Sequence, residues 1–269
     1  MAHRVDLVLS PQALAAAMSL ETTDDLTLLD VRWQLGRADG HERYLAGHVP
    51  GAVYVDLETD LADPVGDGSR GRHPLPDPDR FAAAMRRCGV RRDRPVVVYD
   101  DAAGTSAARA WWLLTYHGHP DVRVLDVGWS GYVDAGGPVG SGPVEVPPGD
   151  FEPDPGHLPV VDAEGAARLA AAGQLVDARA AERYRGDVEP VDPVAGHVPG
   201  AVNVPYDRPD LLPGLDHERP LGVYCGSGVT AAFSVLSLAR LGVVAALYPG
   251  SWSEWVADPA RPVAVGPTP

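Results

Sequence analysis

Short runs of β-branched and aromatic residues alternate along the chain with longer segments rich in Ala and Leu. The runs at 96–99 (VVVY) and 221–224 (LGVY) have the length and composition of buried strands. Residues 230–242 (TAAFSVLSLARLG) instead space their apolar positions as an amphipathic helix does. This alternation predicts an α/β fold in which a parallel sheet is flanked by helices.

The same series of motifs occurs twice, in the same order. The first copy comprises LLDVR (28–32), YLAGHVPGAVYVD (44–56), RPVVVYDD (94–101) and LDVGWSGYV (125–133), and the second comprises LVDAR (175–179), AGHVPGAVNVP (195–205), RPLGVYCG (219–226) and LYPGSWSEWV (247–256). An internal repeat of this kind indicates two domains with the same fold.

The length of 269 residues agrees with two domains, because it exceeds what one hydrophobic core usually covers. Residues 136–157 lie between the copies and are so rich in Gly and Pro that neither a helix nor a strand is expected there. We therefore predict an N-terminal domain at 1–140, a linker at 141–157 and a C-terminal domain at 158–269.

Composition and charge narrow the possible partners. With 45% hydrophobic and 22% charged residues, the chain has the composition of a globular protein. Its formal net charge of −15 repels phosphate backbones and anionic lipid headgroups, which argues against nucleic acid and membranes as partners. An anionic substrate must therefore be attracted by local positive charge. The N-terminal segment MAHRVDLVLS lacks the apolar core of a secretion signal, and we expect a cytoplasmic protein.

The two cysteines, Cys88 and Cys225, are too few for a disulfide framework, and no Cys/His spacing resembles a zinc site. We expect reduced thiols and no metal. Cys88 lies in MRRCGV, at the end of an amphipathic helical pattern, and is interpreted as a packing residue.

The two copies differ at the end of one strand, where VVVY is followed by Asp100 and LGVY by Cys225. Loops after the carboxyl ends of parallel strands bind ligands in open α/β sheets, because loop amides and a helix N-terminus converge there. The difference therefore assigns the chemistry to Cys225 and the second copy.

The segment YCGSGVTAAF places Cys225 at the start of a tight loop, where Gly226 and Gly228 are expected to adopt backbone angles that side chains forbid. Inward-pointing amides at 226–230 would stabilise a thiolate, the nucleophilic form of the side chain. The alternative is that Cys225 is a small buried hydrophobic residue. A cysteine-loop phosphatase is disfavoured, because that chemistry needs an Arg to close the loop and Thr230 lies there instead.

The duplicated HVPGA motif, the CGSGVT segment and the terminal GSWSEW resemble the tandem-domain thiosulfate/3-mercaptopyruvate sulfurtransferases of the rhodanese type, over nearly the whole chain. The resemblance implies two rhodanese-like α/β domains, an N-terminal copy that has lost its cysteine, and no cofactor. The CGSGVT form is similar to that of the 3-mercaptopyruvate enzymes, whereas thiosulfate-preferring members carry basic residues within the loop. The loop residues that would bind the donor are Gly226, Gly228, Val229 and Thr230.

The resemblance also implies a carboxylate-binding arginine in DARAAERYRG (177–186), which we assign to Arg183. The alternative is that Arg183 and Arg185 are solvated helix charges. A second carboxylate-binding arginine is frequent in the family, but residues 187–197 contain none.

A Ser–His–acid relay is implied in the same way and falls on Ser227, His73 and Glu58, with Glu58 replacing a shorter aspartate. His48 and His197 recur in both GHVPGA segments, so we interpret them as serving the fold shared by both copies and not a metal. Trp252 and Trp255 are interpreted mainly as packing aromatics, like Trp129 and Tyr132 in the first copy.

The resulting hypothesis is a sulfurtransferase that moves sulfur from 3-mercaptopyruvate, a small anionic donor, through a Cys225 persulfide to a thiol acceptor such as a thioredoxin-like protein, or to cyanide. One alternative is a thiosulfate:cyanide sulfurtransferase with the same nucleophile. Another is a non-catalytic module that binds partners or relays sulfur.

Overall fold

The computed structural model describes residues 6–20 and 26–269. Residues 1–5, which begin the segment considered for a secretion signal, and residues 21–25, which fall within the predicted N-terminal domain, lie outside the described part. Within the described ranges, no helix combines the length and the apolar character needed to cross a membrane.

The chain divides into two compact units. The first consists of Met1–Ala62 and Pro76–His157, and the second of Asp63–Leu75 and Leu158–Pro269. The loop at 63–75 thus belongs to the second unit, although first-unit residues precede and follow it in the chain. The domain boundaries predicted from the sequence follow chain order, so they place residues 63–75 in the N-terminal domain and not in the second unit.

The Gly/Pro-rich segment predicted as a linker has neither a helix nor a strand at 141–157, and it is counted with the first unit. Phe151 is 2% exposed and packs edge-to-face on Phe81, with 5.7 Å between the ring centroids. This part of the segment therefore contributes to the core of the first unit.

The first unit contains a five-stranded sheet in the order β1-β5-β4-β2-β3, and every pairing is parallel. Its strands are β1 (Val8–Leu9), β2 (Thr27–Asp30), β3 (Val53–Tyr54), β4 (Val96–Tyr99) and β5 (Val122–Leu125). Its helices are α1 (Pro11–Leu20), α2 (Gly40–Ala46), α3 (Leu57–Asp60), α4 (Pro78–Arg87), α5 (Thr105–Tyr116) and α6 (Gly128–Asp134).

The second unit contains a four-stranded parallel sheet in the order β7-β6-β8-β9. Its strands are β6 (Leu175–Asp177), β7 (Val202–Asn203), β8 (Leu221–Tyr224) and β9 (Ala245–Leu247). Its helices are α7 (Ala163–Ala171), α8 (Ala181–Arg185), α9 (Thr230–Arg240) and α10 (Ser251–Trp255), with a 3₁₀ helix at Pro209–Gly214. The predicted fold class, parallel α/β sheets with flanking helices in both halves, is confirmed.

The repeated histidines hold the same loop in each unit. The Nδ1 of His48 lies 2.9 Å from the carbonyl oxygen of Tyr44, and the Nδ1 of His197 lies 2.8 Å from that of Tyr184. Each imidazole is buried and stacks on the ring of the tyrosine whose carbonyl oxygen it contacts. The interpretation of both histidines as fold residues is confirmed.

A buried ion pair also recurs in both units. Arg179 donates to both carboxylate oxygens of Asp177 and to the carbonyl of Gly196, and its guanidinium lies 4.6 Å from the ring centroid of Trp252. These contacts satisfy a charged pair that would otherwise be costly to bury. The equivalent residues of the first unit are Asp30, Arg32, Gly47 and Trp129. Trp252 and Trp255 are buried in the second core, which confirms their packing role.

Candidate active site

Cys225 follows β8 directly and begins the five-residue loop 225–229 that leads into α9. Its backbone is fixed on both sides: its N–H donates to Ser251 Oγ at 3.1 Å, and its carbonyl accepts from Trp252 N at 3.0 Å. Ser251 holds a φ of +55°, an uncommon conformation for a residue with a side chain. The fixed backbone gives the sulfur a defined position.

The sulfur of Cys225 accepts a hydrogen bond from the N–H of Gly228 at 3.2 Å, and Cys225 is 2% exposed. Gly228 has a φ of +77°, and a β-carbon there would lie 2.3 Å from the Pro249 carbonyl oxygen. Only glycine fits this position without strain. The loop thus directs one of its amides at the sulfur, as a thiolate requires. Val229 is buried, and Thr230 begins α9.

The expectation for Gly226 was wrong in one respect, because its φ is not in the left-handed region. Its small size matters for another reason. A β-carbon at 226 would lie 2.9 Å from Nη2 of Arg72 and 3.6 Å from both Nη1 and Nη2 of Arg183. Glycine here lets two guanidinium groups approach the backbone beside Cys225.

The first unit shows what the same loop does with an anion. Asp100 follows β4 and begins a loop of equal length, 100–104. Its Oδ1 accepts from the N–H groups of Ala102 and Gly104 at 2.8 and 2.9 Å, and its Oδ2 accepts from those of Ser106 and Ala107 at 2.8 Å each. Burial raises the pKa of this carboxyl, and the four amides oppose that rise. In the first unit, the Asp100 carboxylate therefore occupies the nest formed by these amides.

Asp100→Asn is expected to lower the free energy of unfolding by about 1–3 kcal/mol, because the new NH2 group would face two N–H donors inside the nest. The midpoint of urea unfolding, followed by circular dichroism, measures the effect. Asp101→Asn is the matched control, since Asp101 is exposed and its Oδ1 accepts a hydrogen bond from the N–H of Ser130 at 3.1 Å. Equal shifts in the two variants would contradict a structural role for the nest.

His73 and Ser227 are hydrogen-bonded within the second unit. The Nδ1 of His73 lies 2.8 Å from Ser227 Oγ, and the two residues are 4% and 8% exposed. The loop at 63–75 carries His73 to the sulfur-bearing loop, 154 positions away in the chain. A hydroxyl coupled to an imidazole is a suitable proton donor or relay, although its part in a reaction stays a prediction.

Glu58, the third member of the predicted relay, lies on α3 in the first unit. It is exposed, and its Oε1 accepts a hydrogen bond from Trp33 Nε1 at 2.8 Å. Its role as the acid of the relay stays a prediction.

Arg183 lies on α8 in a network of carboxylates. Its Nε and Nη2 donate to Glu189 at 3.1 and 2.6 Å, and Nη2 also donates to Asp192 at 3.2 Å. The side chain is 19% exposed, so the alternative of a solvated helix charge is wrong for Arg183. The interpretation as a solvated helix charge fits Arg185, which pairs with Asp187 on the surface.

Arg72 is one of two residues of the candidate site that the sequence reasoning missed, and the other is its partner Asp192. Arg72 precedes His73 in the loop, its Nη1 forms an ion pair with Asp192, and its Nη2 lies beside Gly226. The buried Nε of Arg72 has no hydrogen-bond partner among the described residues. Two sequence features could have identified it: residues 187–197 lack the second arginine that is frequent in the family, and Arg72 directly precedes His73.

Two acids complete the arginine network. Hydrogen bonds from Arg183 lower the pKa of Glu189 against the opposing effect of burial, whereas burial raises the pKa of Asp192. Glu189 also accepts from the backbone N–H of Asp192 at 3.1 Å. The network therefore contains both cationic donors and a carboxylate that is costly to keep charged.

Cys88, the other thiol, is 1% exposed in the first unit, and burial raises its pKa to about 11. A thiol with such a pKa is almost entirely protonated at neutral pH and is a poor nucleophile. The interpretation of Cys88 as a packing residue is confirmed.

Comparisons with known proteins agree with this architecture. The family described as "Rhodanese-like domain" matches residues 10–135 and again 162–258. The structure of SseA from Escherichia coli, described as a 3-mercaptopyruvate sulfotransferase with the rhodanese fold, matches with a TM-score of 0.79 and 34% identity, over 91% of this chain and 98% of that one.

Two similar sequences carry different names. The Mycobacterium tuberculosis (strain H37Rv) protein "Putative thiosulfate sulfurtransferase SseB" is 47% identical, over 94% of this chain and 96% of its own length. The Pseudomonas aeruginosa protein "Probable 3-mercaptopyruvate sulfurtransferase" is 44% identical, over 96% and 98%. The chain therefore belongs to the rhodanese family, as a tandem-domain member whose named relatives are sulfurtransferases.

Proposed function

We propose that this sulfurtransferase takes sulfur from 3-mercaptopyruvate, holds it as a persulfide on Cys225 and passes it to a thiol. The observation that carries the proposal is the approach of two guanidinium groups, those of Arg72 and Arg183, to Gly226 beside the thiol. Guanidinium groups bind carboxylates through paired, charge-assisted hydrogen bonds. The hydrogen-bonded Ser227 and His73 lie in the same unit.

The first half-reaction begins when the Cys225 thiolate attacks the sulfur of 3-mercaptopyruvate. A new S–S bond forms, the C–S bond breaks, and its electron pair leaves with carbon as the enolate of pyruvate. Arg183 and Arg72 hold the carboxylate, while Ser227, coupled to His73, delivers the proton that turns the enolate into pyruvate. The Gly228 amide stabilises negative charge on the enzyme sulfur.

In the second half-reaction an acceptor thiolate attacks the outer sulfur of the persulfide. The S–S bond breaks, the acceptor leaves as its own persulfide, and Cys225 returns to the thiolate form. A reduced thioredoxin-like protein fits this role. In an assay, cyanide can attack the outer sulfur instead and leaves as thiocyanate. Such thiol acceptors are maintained in a reducing compartment, which agrees with the predicted cytoplasmic location.

Thiosulfate is the second candidate donor, and the name of the M. tuberculosis relative favours it. The loop at 225–229 itself contains no basic residue that could bind a dianion, but Arg72 and Arg183 lie next to it at Gly226. Pyruvate release from 3-mercaptopyruvate, measured beside sulfite release from thiosulfate, tests the choice. A higher kcat/KM for thiosulfate would overturn the proposed donor, and absence of turnover with both would favour a non-catalytic module.

Arg183→Ala and Arg72→Ala are each expected to raise KM for 3-mercaptopyruvate about 10- to 100-fold with a smaller change in kcat, because each removes a charge-assisted hydrogen bond to the carboxylate. Initial rates of pyruvate formation measure the effect. Arg185→Ala is the matched control from the same helix, since the Arg185 side chain pairs with Asp187 at the surface. If KM for Arg183→Ala resembles that of the control, the carboxylate role is wrong.

A further inference from the structure

A carboxylate of the protein already lies between the two arginines that the proposed function assigns to the donor. Asp192 Oδ1 pairs with Nη1 of Arg72, and Asp192 Oδ2 accepts from Nη2 of Arg183 at 3.2 Å. The Asp192 side chain is only 3% exposed, so water screens these pairs weakly. A donor anion that reaches these arginines must share them with Asp192.

The charges of the network balance. Its cations are Arg72, Arg179 and Arg183, and its anions are Asp177, Glu189 and Asp192. The Asp177 side chain is 0% exposed and accepts hydrogen bonds from Nε and Nη2 of Arg179 in the core. The electrostatic potential beside Gly226 therefore combines positive contributions from Arg72 and Arg183 with negative contributions from Glu189 and Asp192. The site offers hydrogen-bond donors to an anion but little net positive charge.

Asp192 lies in the segment between α8 and β7, which lacks the second carboxylate-binding arginine that is frequent in the family. The segment supplies an acid, and the second guanidinium comes from the loop at 63–75. The site therefore keeps two guanidinium donors, and the added carboxylate of Asp192 makes its net charge one unit lower than that of a site with two arginines and Glu189 alone. Such an arrangement distinguishes ligands by charge, because Coulomb energy is proportional to the charge of the ligand.

We propose that Asp192 is a specificity-determining residue, which favours singly charged donors such as 3-mercaptopyruvate over doubly charged donors such as thiosulfate. The proposal rests on the proposed function, because it requires that Arg72 and Arg183 receive the anionic group of the donor. The Asp192 side chain is 3% exposed, so solvent screens its charge weakly. Burial raises the pKa of Asp192, and the neighbouring Arg72 and Arg183 oppose that rise by favouring the carboxylate.

Asp192→Asn tests this directly, with kcat/KM measured for both donors at low ionic strength. A unit charge roughly 8 Å away at an effective dielectric of about 40 changes binding of a monoanion about fivefold and that of a dianion about 25-fold. The ratio of kcat/KM for thiosulfate to that for 3-mercaptopyruvate is therefore expected to rise about fivefold, and to rise less at high salt. An unchanged ratio, or a ratio that moves towards 3-mercaptopyruvate, overturns the proposal.

Charge is separated from size by two further variants. Asp192→Ser removes the charge with a smaller side chain and is expected to raise the ratio as Asp192→Asn does, whereas Asp192→Glu keeps the charge and the ratio. Asp187→Asn makes the same charge change on the same segment at a surface pair and serves as the matched control. Thermal unfolding of each variant shows whether it is folded, and the ratio is compared among the folded ones.

Arg183→Ala, assayed in parallel, distinguishes a failure of the proposed function from a failure of the role proposed for Asp192. If it raises KM for both donors while the neutral Asp192 variants leave the ratio unchanged, the proposed function stands and the role of Asp192 is wrong. If it leaves KM unchanged for both donors, the proposed function fails and the role of Asp192 fails with it.

Discussion

Cys225→Ser is expected to abolish sulfur transfer, with a loss of about 10⁴-fold or more in kcat for either donor, because a hydroxyl at this position cannot form the persulfide. In the wild type, mass spectrometry after incubation with the donor is expected to find one added sulfur atom, which a thiol then removes. The variant is expected to gain none. The loop backbone remains held by Ser251 and Trp252, so the loss reports on the sulfur.

Cys88→Ala is the matched control for this experiment. Cys88 is the other thiol of the chain, buried in the first unit with a pKa raised to about 11. We expect its replacement to change kcat by less than about threefold, since buried thiols of this kind are inert. A persulfide found on Cys88, or turnover retained by Cys225→Ser, would refute the assignment of the nucleophile.

His73→Ala is expected to lower kcat for 3-mercaptopyruvate by about 10²- to 10⁴-fold, the usual contribution of a positioned proton donor. The effect on thiosulfate is expected to be much smaller, because sulfite leaves as a stable anion and needs no proton. Steady-state release of pyruvate and of sulfite by one preparation measures both. The prediction depends on the 2.8 Å contact between His73 Nδ1 and Ser227 Oγ.

Two controls separate a proton-transfer role from a structural one. Ser227→Ala is expected to act in the same direction as His73→Ala, and the double variant to lose no more than either single variant, because the two side chains act as a unit. His217→Ala is the matched histidine control in the same unit, because the Nε2 of His217 lies 2.9 Å from the carbonyl oxygen of Leu212. Equal losses on both donors for His73→Ala would indicate a packing role.

The two units differ in the side chain that follows the equivalent strands β4 and β8. Both have the same strand, a loop of equal length and a following helix, so both have the same backbone amides to offer. In the first unit the carboxylate of Asp100 already accepts four of those amides. In the second unit Cys225 occupies the equivalent place, and its sulfur is held by Gly228. The amides of the first loop thus hold a carboxylate, whereas the second loop directs the Gly228 amide at the sulfur of the proposed nucleophile.

Within the candidate site, the sequence identified the residues that local pattern and family resemblance reveal. Cys225 was found because two copies of one motif differ there, and the left-handed Gly228 was expected from the tight loop. Arg183 and His73 came from the resemblance, which carries information on distant contacts that a single sequence does not contain. Arg72 and Asp192 were not found, because a lone Arg or Asp in an irregular segment is usually a solvated charge.

What the sequence by itself determined is the repeat, the parallel α/β class of both halves and the unequal strand end that carries Cys225, because periodicity and motif order are local properties of the chain. The tertiary structure alone decided that the loop at 63–75 packs with the second unit and brings Arg72 and His73 to the loop of Cys225. It also decided that Asp192 lies between Arg72 and Arg183. The physical reason is that charge balance depends on which side chains the folded backbone brings within a few ångströms, and separation along the chain does not encode that distance.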